Sequence, residues 1–378
     1  MRKVFNLKNK LTCYVKNLPG WTTKRKIVVF ISDDWGDLRI RNEEDYRELL
    51  NHGFPVDKSP HTRYGALANH QDLYKLYETL TSVKDKNGRF AVFTPFTIMA
   101  NPDFEKIREE NFENYHYEKF PATIRRYDDG EKTLAAWKQG MEENLFLPEL
   151  HGRDHLNVPL WLEHLKKGNE RLLLAFKYHY AYHKAPGMPV SPALAFYFNS
   201  EKSLGFLKNS LKDGIKIFHE FFKRKPVVFN PPNGMFHPAF YEPLSEMGVK
   251  TVSSKHFRPQ PGKSGQITKK YHRFGELSKN GILHYISNCA FEPVNKGFPG
   301  KETTLMQMAA AFRCRKPALI NTHRVNYVGS RNPSVRDKNL MELSALLKKM
   351  KQKWPDIEFM SAGEFANYLK NSIESKKR

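Results

Sequence analysis

The chain has 378 residues and carries 62 Lys and Arg against 40 Asp and Glu, a formal charge of +22. Hydrophobic residues make up 40% and aromatics 13%, which supports a sizeable core and excludes wholesale disorder. No apolar run is long enough to cross a bilayer, and the basic excess favours anionic partners: nucleic acid, acidic or phosphate-linked glycans, or an anionic membrane face.

The first 26 residues hold eight basic side chains and no acidic one. They are expected to form a solvated, poorly ordered extension, with peripheral contact to an anionic membrane surface through Phe5 and Trp21 as the second reading. No continuous apolar stretch follows the basic start, and Cys13, Cys289 and Cys314 stand too far apart for a disulfide framework, so the chain reads as cytoplasmic. From residue 27 onward, β-rich runs alternate with amphipathic helical stretches. Ile27 to Ile31 reads as the first strand, ending in Ser32-Asp33-Asp34-Trp35-Gly36. A helix is predicted over 70–84, a strand over 90–96, a helix over 131–146, and a short strand over 147–150 that leads into His151.

Further along, a helix is predicted over 203–222, and strands over 227–229, 249–253, 283–287 and 318–320. A helix over 334–353, a strand over 357–359 and a helix over 362–370 complete the pattern. The stretches 184–192 and 258–270, rich in Gly, Pro and Lys, read as loops. Six or seven such β/α units fit a barrel better than an open sheet. One domain is therefore expected over 27–370, followed by a basic tail over 371–378.

In a parallel barrel, residues just past the carboxyl ends of the strands face the mouth. Four polar clusters of this chain fall at such positions: Asp33-Asp34, His151 with His155, Asn230 to Gly234, and His323. Adjacent side chains on a strand face opposite ways, so Asp33 and Asp34 reach one site only where the backbone turns. One carboxylate can then bind a cation while its neighbour takes a proton from water. On a helical turn, His151 and His155 would share a face, as a divalent cation needs. His179 and His183 repeat that spacing, but their aromatic surroundings suit packing beside the site better. His323 follows the strand 318–320.

In this order, the clusters resemble the polysaccharide deacetylase superfamily, which includes carbohydrate esterase family 4. Ile31-Ser32-Asp33-Asp34 is similar to its Thr-Phe-Asp-Asp motif, and His151 to His155 resembles its His-x-x-x-His motif. Asn230-Pro231-Pro232-Asn233-Gly234 is similar to its Arg-x-Pro-aromatic-Gly motif, and Ile320 to His323 to its Leu-x-x-His motif. The resemblance implies a distorted (β/α)7 TIM-like barrel, with Asp34, His151 and His155 holding a divalent metal, zinc first among them. It also implies Asp33 as catalytic base and His323 as catalytic acid. Trp35, Arg153, Asn230, Pro232 and Asn233 are the expected substrate-binding or supporting residues. Asn230 stands where the family has an arginine beside the base, a charge that Arg153 or Arg324 could supply instead. Asn233 replaces an aromatic wall.

The substrate implied is an acetylated carbohydrate, with an anionic or lipid-linked precursor suiting the positive charge. A divergent, non-catalytic glycan-binding barrel is the alternative. Specific nucleic-acid binding is not expected, because no finger or RNP-like motif accompanies the charge.

Overall fold

The computed structural model describes residues 7–375 apart from 263, 279 and 299. A ten-stranded sheet organises the chain. Eight of its strands follow one another in parallel: β1 (Ile27–Trp35), β2 (Phe93–Ile98), β3 (Glu149–Gly152), β4 (Val228–Phe229), β5 (Thr251–Ser254), β6 (Leu283–Ile286), β7 (Cys289–Ala290) and β8 (Ala318–His323). In space the order is β6-β5-β4-β3-β2-β1-β8-β7. Glu276–Leu277 adds an antiparallel edge to β6, and Glu358–Phe359 pairs with the start of β1.

That order is cyclic, and only the junction of β6 with β7 carries no ladder. Ser287 and Asn288 span the junction, Ser287 N–H donating to Ser254 O on one side and Asn288 N–H to Leu319 O on the other. The sheet therefore curls until its two ends are joined covalently, but it stays open in hydrogen bonds. A closed (β/α)7 barrel is not formed: the segment that would close it bends between β6 and β7 and divides its pairing between opposite ends of the sheet.

Both faces of β1 are buried, which is why its β-branched run reads without alternation. Ile27, Val29 and Ile31 meet Phe96, Val228, Tyr285 and Leu319 inside the curl, where Phe365 and Leu369 of the helix Ala362–Ser375 also pack. Val28 and Phe30 face the helical layer, with Phe30 stacked on Phe93 at 5.0 Å between centroids. A second core around Trp161, Phe176 and Tyr197 belongs to the long excursion between β3 and β4.

Three expectations are corrected. Residues 10–26 are not a solvated extension: helix Leu7–Val15 packs on helix Lys301–Arg313, and Asn17 is buried against Asn288. Lys316 donates to the Gly20 and Trp21 carbonyls, Arg25 pairs with Glu358, and Lys26 with Asp356, so internal carbonyls and carboxylates hold this basic segment in place. Residues 1–6 of that arm, and 376–378 of the expected tail, lie outside the described residues. The boundary at 370 falls within helix Ala362–Ser375, where Ser372 accepts a hydrogen bond from Trp21. Residues 258–270 are largely a hairpin, Phe257–Pro261 with Ile267–Tyr271, because prolines are tolerated on an edge strand.

Candidate metal centre

The carboxyl end of β1 brings two adjacent carboxylates to one site. Its pairing with β2 shifts register between Ser32 and Trp35, and Asp34 takes φ +69°. This bulge turns Asp34 out of the alternation, so it points to the same end of the sheet as Asp33. Behind it, Gly36 is required at φ +81°, since a Cβ there would sit 2.3 Å from the Ile98 carbonyl oxygen.

His151 is the penultimate residue of β3, and His155 lies in the irregular turn beyond the strand. The helical turn expected for this pair is absent: His151 lies within the strand, at the point where the pairing with β2 shifts register between Leu150 and Gly152, and Gly152 takes φ +137°. The rings still converge. His151 Nε2 lies 3.4 Å and His155 Nε2 3.2 Å from Asp34 Oδ1, and the three donor atoms fall within 4.8 Å of one another.

This donor set fits a divalent cation. The Asn230 carbonyl can only accept, so the 2.6 Å contact from His151 Nδ1 places the proton there. With Nδ1 carrying the only ring proton, the lone pair of Nε2 points at a carboxylate oxygen. Two acceptors face each other at that distance stably only with a cation or a proton between them. Carboxylate plus two imidazoles is also a donor set that suits zinc and related ions.

The other Asp34 oxygen is committed elsewhere. Arg39 Nη2 donates to it at 2.9 Å, and His61 Nδ1 lies 3.3 Å away. Arg39 is braced in turn by Asp37, which accepts a hydrogen bond from Tyr182 at 2.6 Å. Burial pushes the Asp34 carboxyl up, but Arg39 and the two imidazoles outweigh it and hold the group well below the usual carboxylate range.

Asp33 sits in a different field. Asn230 donates to it at 2.6 Å and Asn321 at 3.4 Å, and no arginine among the described residues bonds it. Burial raises its pKa, and the partial charges of His151 and His323 only partly offset this. His323, paired in register with Asp33 across β1 and β8, lies with Nε2 3.9 Å from Asp33 Oδ2. Its Nδ1 is 2.5 Å from Glu292 Oε1. Burial pulls the imidazolium down, yet the Glu292 carboxylate dominates and its pKa is pushed up to about 10.

Asp33, Asp34, Arg39, His61, His151, His155 and His323 line one cleft of about 190 Å³ together with Asn233, Ser254 and Lys255, with Glu292 behind His323. Larger surface clefts, such as one of about 590 Å³ beside Arg41, Tyr127 and Arg331, gather no comparable set among the described residues.

The structure separates the expected supporting residues. Asn230 touches Asp33, and Asn233 lies in the cleft wall, where its side chain donates to the Ala193 carbonyl. Pro232 is buried behind the wall, and Pro231 lines the cleft in its place. Trp35 is 1% exposed and packs edge-on against Trp137 and Phe146, so it is a core residue and not a substrate contact. Arg153 pairs with Asp154 and Asp213 over Tyr117, turned away from Asp33 by these carboxylates. Arg324 is buried and makes no bond to Asp33 either. His179 meets Glu105 and Asp45, and His183 packs on Phe54; neither joins the cleft, although Tyr182 between them packs edge-on to His155.

Sequence reasoning missed Arg39, His61, Lys255 and Glu292. Glu292 follows the two-residue strand Cys289–Ala290, too short to read from the sequence. His61 sits in the four-residue helix Pro60–Arg63, too short to show periodicity.

Fold and site together define a mixed α/β protein with a candidate metal centre at the carboxyl ends of its parallel strands. No family model matches the chain, and no curated protein matches it. Several solved structures similar to it are assigned as polysaccharide deacetylases or family 4 carbohydrate esterase proteins. One is a Mycobacterium smegmatis protein assigned as a polysaccharide deacetylase, with 13% identity over 94% of each chain and a TM-score of 0.40. Another is a Parabacteroides distasonis protein assigned as a glycoside hydrolase/deacetylase, with 7% identity over 93% of this chain and 72% of that one, at TM-score 0.49. The Thermococcus litoralis 4-alpha-glucanotransferase matches at 8% identity and TM-score 0.44 over 91% of this chain, which spans 40% of that enzyme. At such identities and scores, none of these likenesses assigns an activity to this chain.

Proposed function

We propose that this chain is a metal-dependent hydrolase that removes acetyl groups, N-acetyl foremost, from a sugar or polysaccharide precursor on a distorted deacetylase-type barrel. The observation that carries the reading is the meeting of Asp33, Asp34, His151, His155 and His323 in one cleft. Asp34, His151 and His155 would hold the cation, zinc being the ion that suits them. When bound, it supplies Lewis acidity that polarises the acetyl carbonyl and eases ionisation of water.

The chain's own groups divide the proton work. Asp33, oriented by Asn230 and Asn321, takes a proton from the attacking water. Its raised pKa makes it a stronger base than an ordinary carboxylate. His323, kept cationic by Glu292, gives a proton to the departing amine. The amide C–N bond breaks as acetate leaves, and no covalent link to the protein is required. Positioned acid–base groups of this kind are typically worth about 10²–10⁴ in rate.

One observation favours the second reading, a glycan-binding protein without turnover: Asp33 is held by the neutral Asn230 where a charged partner would favour its ionised form. Acetate release separates the two. Metal-loaded protein incubated with N-acetylated oligosaccharides should release acetate, and Asp33→Asn protein should not. Tight sugar binding with no acetate from the unaltered protein selects the second reading.

A further inference from the structure

The hairpin Phe257–Pro261/Ile267–Tyr271 is outside the machinery above, and its two faces differ sharply. Its register pairs Phe257 with Tyr271, Pro259 with Lys269 and Pro261 with Ile267, so these six residues share one face. Most of that face looks outward: Phe257 is 62% exposed, Ile267 46% and Tyr271 39%, while Pro259 is half-buried and Pro261 buried at the turn end. The Phe257 and Tyr271 rings lie 5.2 Å apart at one end of the hairpin, and Ile267 is exposed at the other. On the opposite face the first strand is anchored, while Thr268 and Lys270 of the second are exposed. Arg258 is fully buried and donates to Ser254, Tyr241 and His272, and Gln260 is buried beside it. Phe236 N–H adds a hydrogen bond to the Pro259 carbonyl. An apolar sheet face is thus held rigidly toward solvent.

Its own stretch of chain is basic, and the nearest carboxylate in contact with this region, Glu276, is turned onto His272. No Asp or Glu occurs between Glu246 and Glu276, and Lys255, Lys269, Lys270 and Arg273 are all exposed. Rings and an aliphatic side chain framed by cations match the interface of an anionic bilayer, where aromatic groups sit at headgroup depth and lysines reach the phosphates. Nucleic acid fits less well. Ile267 and the two prolines offer it no hydrogen bond, and the Tyr271 ring is already stacked on His256 at 5.8 Å.

We infer that this hairpin docks the protein on an anionic lipid surface. Docking there has a consequence for the cleft. Phe257 begins two residues after Lys255, which lines the cleft beside Asp33 and His323. The membrane would therefore lie next to the cleft mouth, where the head of a lipid-borne substrate can enter.

Vesicle co-sedimentation of the full chain tests this without reference to catalysis. Wild-type protein should pellet with equimolar phosphatidylserine and phosphatidylcholine and remain in solution with phosphatidylcholine alone. A Phe257→Ser/Ile267→Ser variant with an unchanged thermal midpoint should lose at least most of that binding, as should Lys269→Glu/Lys270→Glu. Should the serine variant fold poorly, a Phe257→Trp protein replaces it, with emission that brominated acyl chains quench beyond the wild-type level. Wild-type protein left in solution with anionic vesicles, serine variants that pellet normally, or unquenched Phe257→Trp would each overturn the inference. So would binding of a single-stranded oligonucleotide through these residues with no vesicle binding. Absence of acetate release, by contrast, bears only on the proposed activity.

Discussion

His323 and Glu292 form the shortest imidazole–carboxylate contact in the cleft, 2.5 Å between Nδ1 and Oε1. Glu292 accepts a second hydrogen bond from Asn326 at 2.8 Å, so it cannot swing away freely. Its charge keeps His323 protonated through the neutral range despite burial.

Replacing Glu292 by Gln should therefore move the basic limb of the rate profile. With glutamate, the acid stays protonated up to about pH 10. Without that charge, burial is opposed only by the carboxylates of Asp34 and Asp33, and the limb should fall toward the ordinary histidine value of about 6.5. Proton NMR of the His323 ring reads the same shift without a substrate. An unmoved titration would remove Glu292 from the account.

The same pair links stability to pH. Because the folded pKa of His323 is raised, its contribution is fully present below the unfolded value of about 6.5 and fades as pH rises toward 10. In Glu292→Gln protein that loss should disappear, so chemical denaturation should show wild type and variant converging in stability toward alkaline pH.

Arg39 should matter for stability more than for proton transfer. It neutralises Asp34 and Asp37 from a position only 13% exposed. Arg39→Met leaves both carboxylates short of their partner, and removing one member of a buried pair costs about 3–5 kcal/mol. Urea denaturation in chelator should show a loss of that order, and zinc should recover part of it by replacing charge at Asp34. A loss within about 0.5 kcal/mol, as at an ordinary surface site, would contradict the role.

Trp35 provides the contrasting case. Its indole donates to Ser32 at 2.8 Å and is enclosed by Trp137 and Phe146. Trp35→Phe should lower the unfolding midpoint while leaving KM for an acetylated sugar unchanged. A raised KM with normal stability would return Trp35 to the substrate contacts.

The legible parts of this chain are those with strong local patterns. The β-branched run of β1 and the long amphipathic helices Glu201–Phe222 and Pro333–Lys353 fall within a few residues of their expected bounds. Asp34, His151 and His155 come together for a reason the sequence does not display: a bulge after Ser32 and a register shift between Leu150 and Gly152 replace the expected helical turn. Glu292 and His61 sit behind a two-residue strand and inside a four-residue helix, elements too short to carry a period. In the hairpin, Pro259 and Pro261 look like loop residues, because edge pairing that spares their missing donors is decided by tertiary structure.

Asp33 divides activity from metal binding. Asp33→Asn should keep the cation while losing about 10²–10⁴ in acetate release, the usual worth of a positioned base. Loss of metal along with activity would make Asp33 a ligand.

The most direct measurement is elemental analysis of purified, zinc-equilibrated protein after dialysis, for wild type beside His151→Ala and Asp34→Ala. One equivalent of metal in wild type and a large loss in both variants, with circular dichroism unchanged, is the predicted result. Metal-free wild type, or full retention by either variant, would contradict a cation held where His151 and His155 meet Asp34.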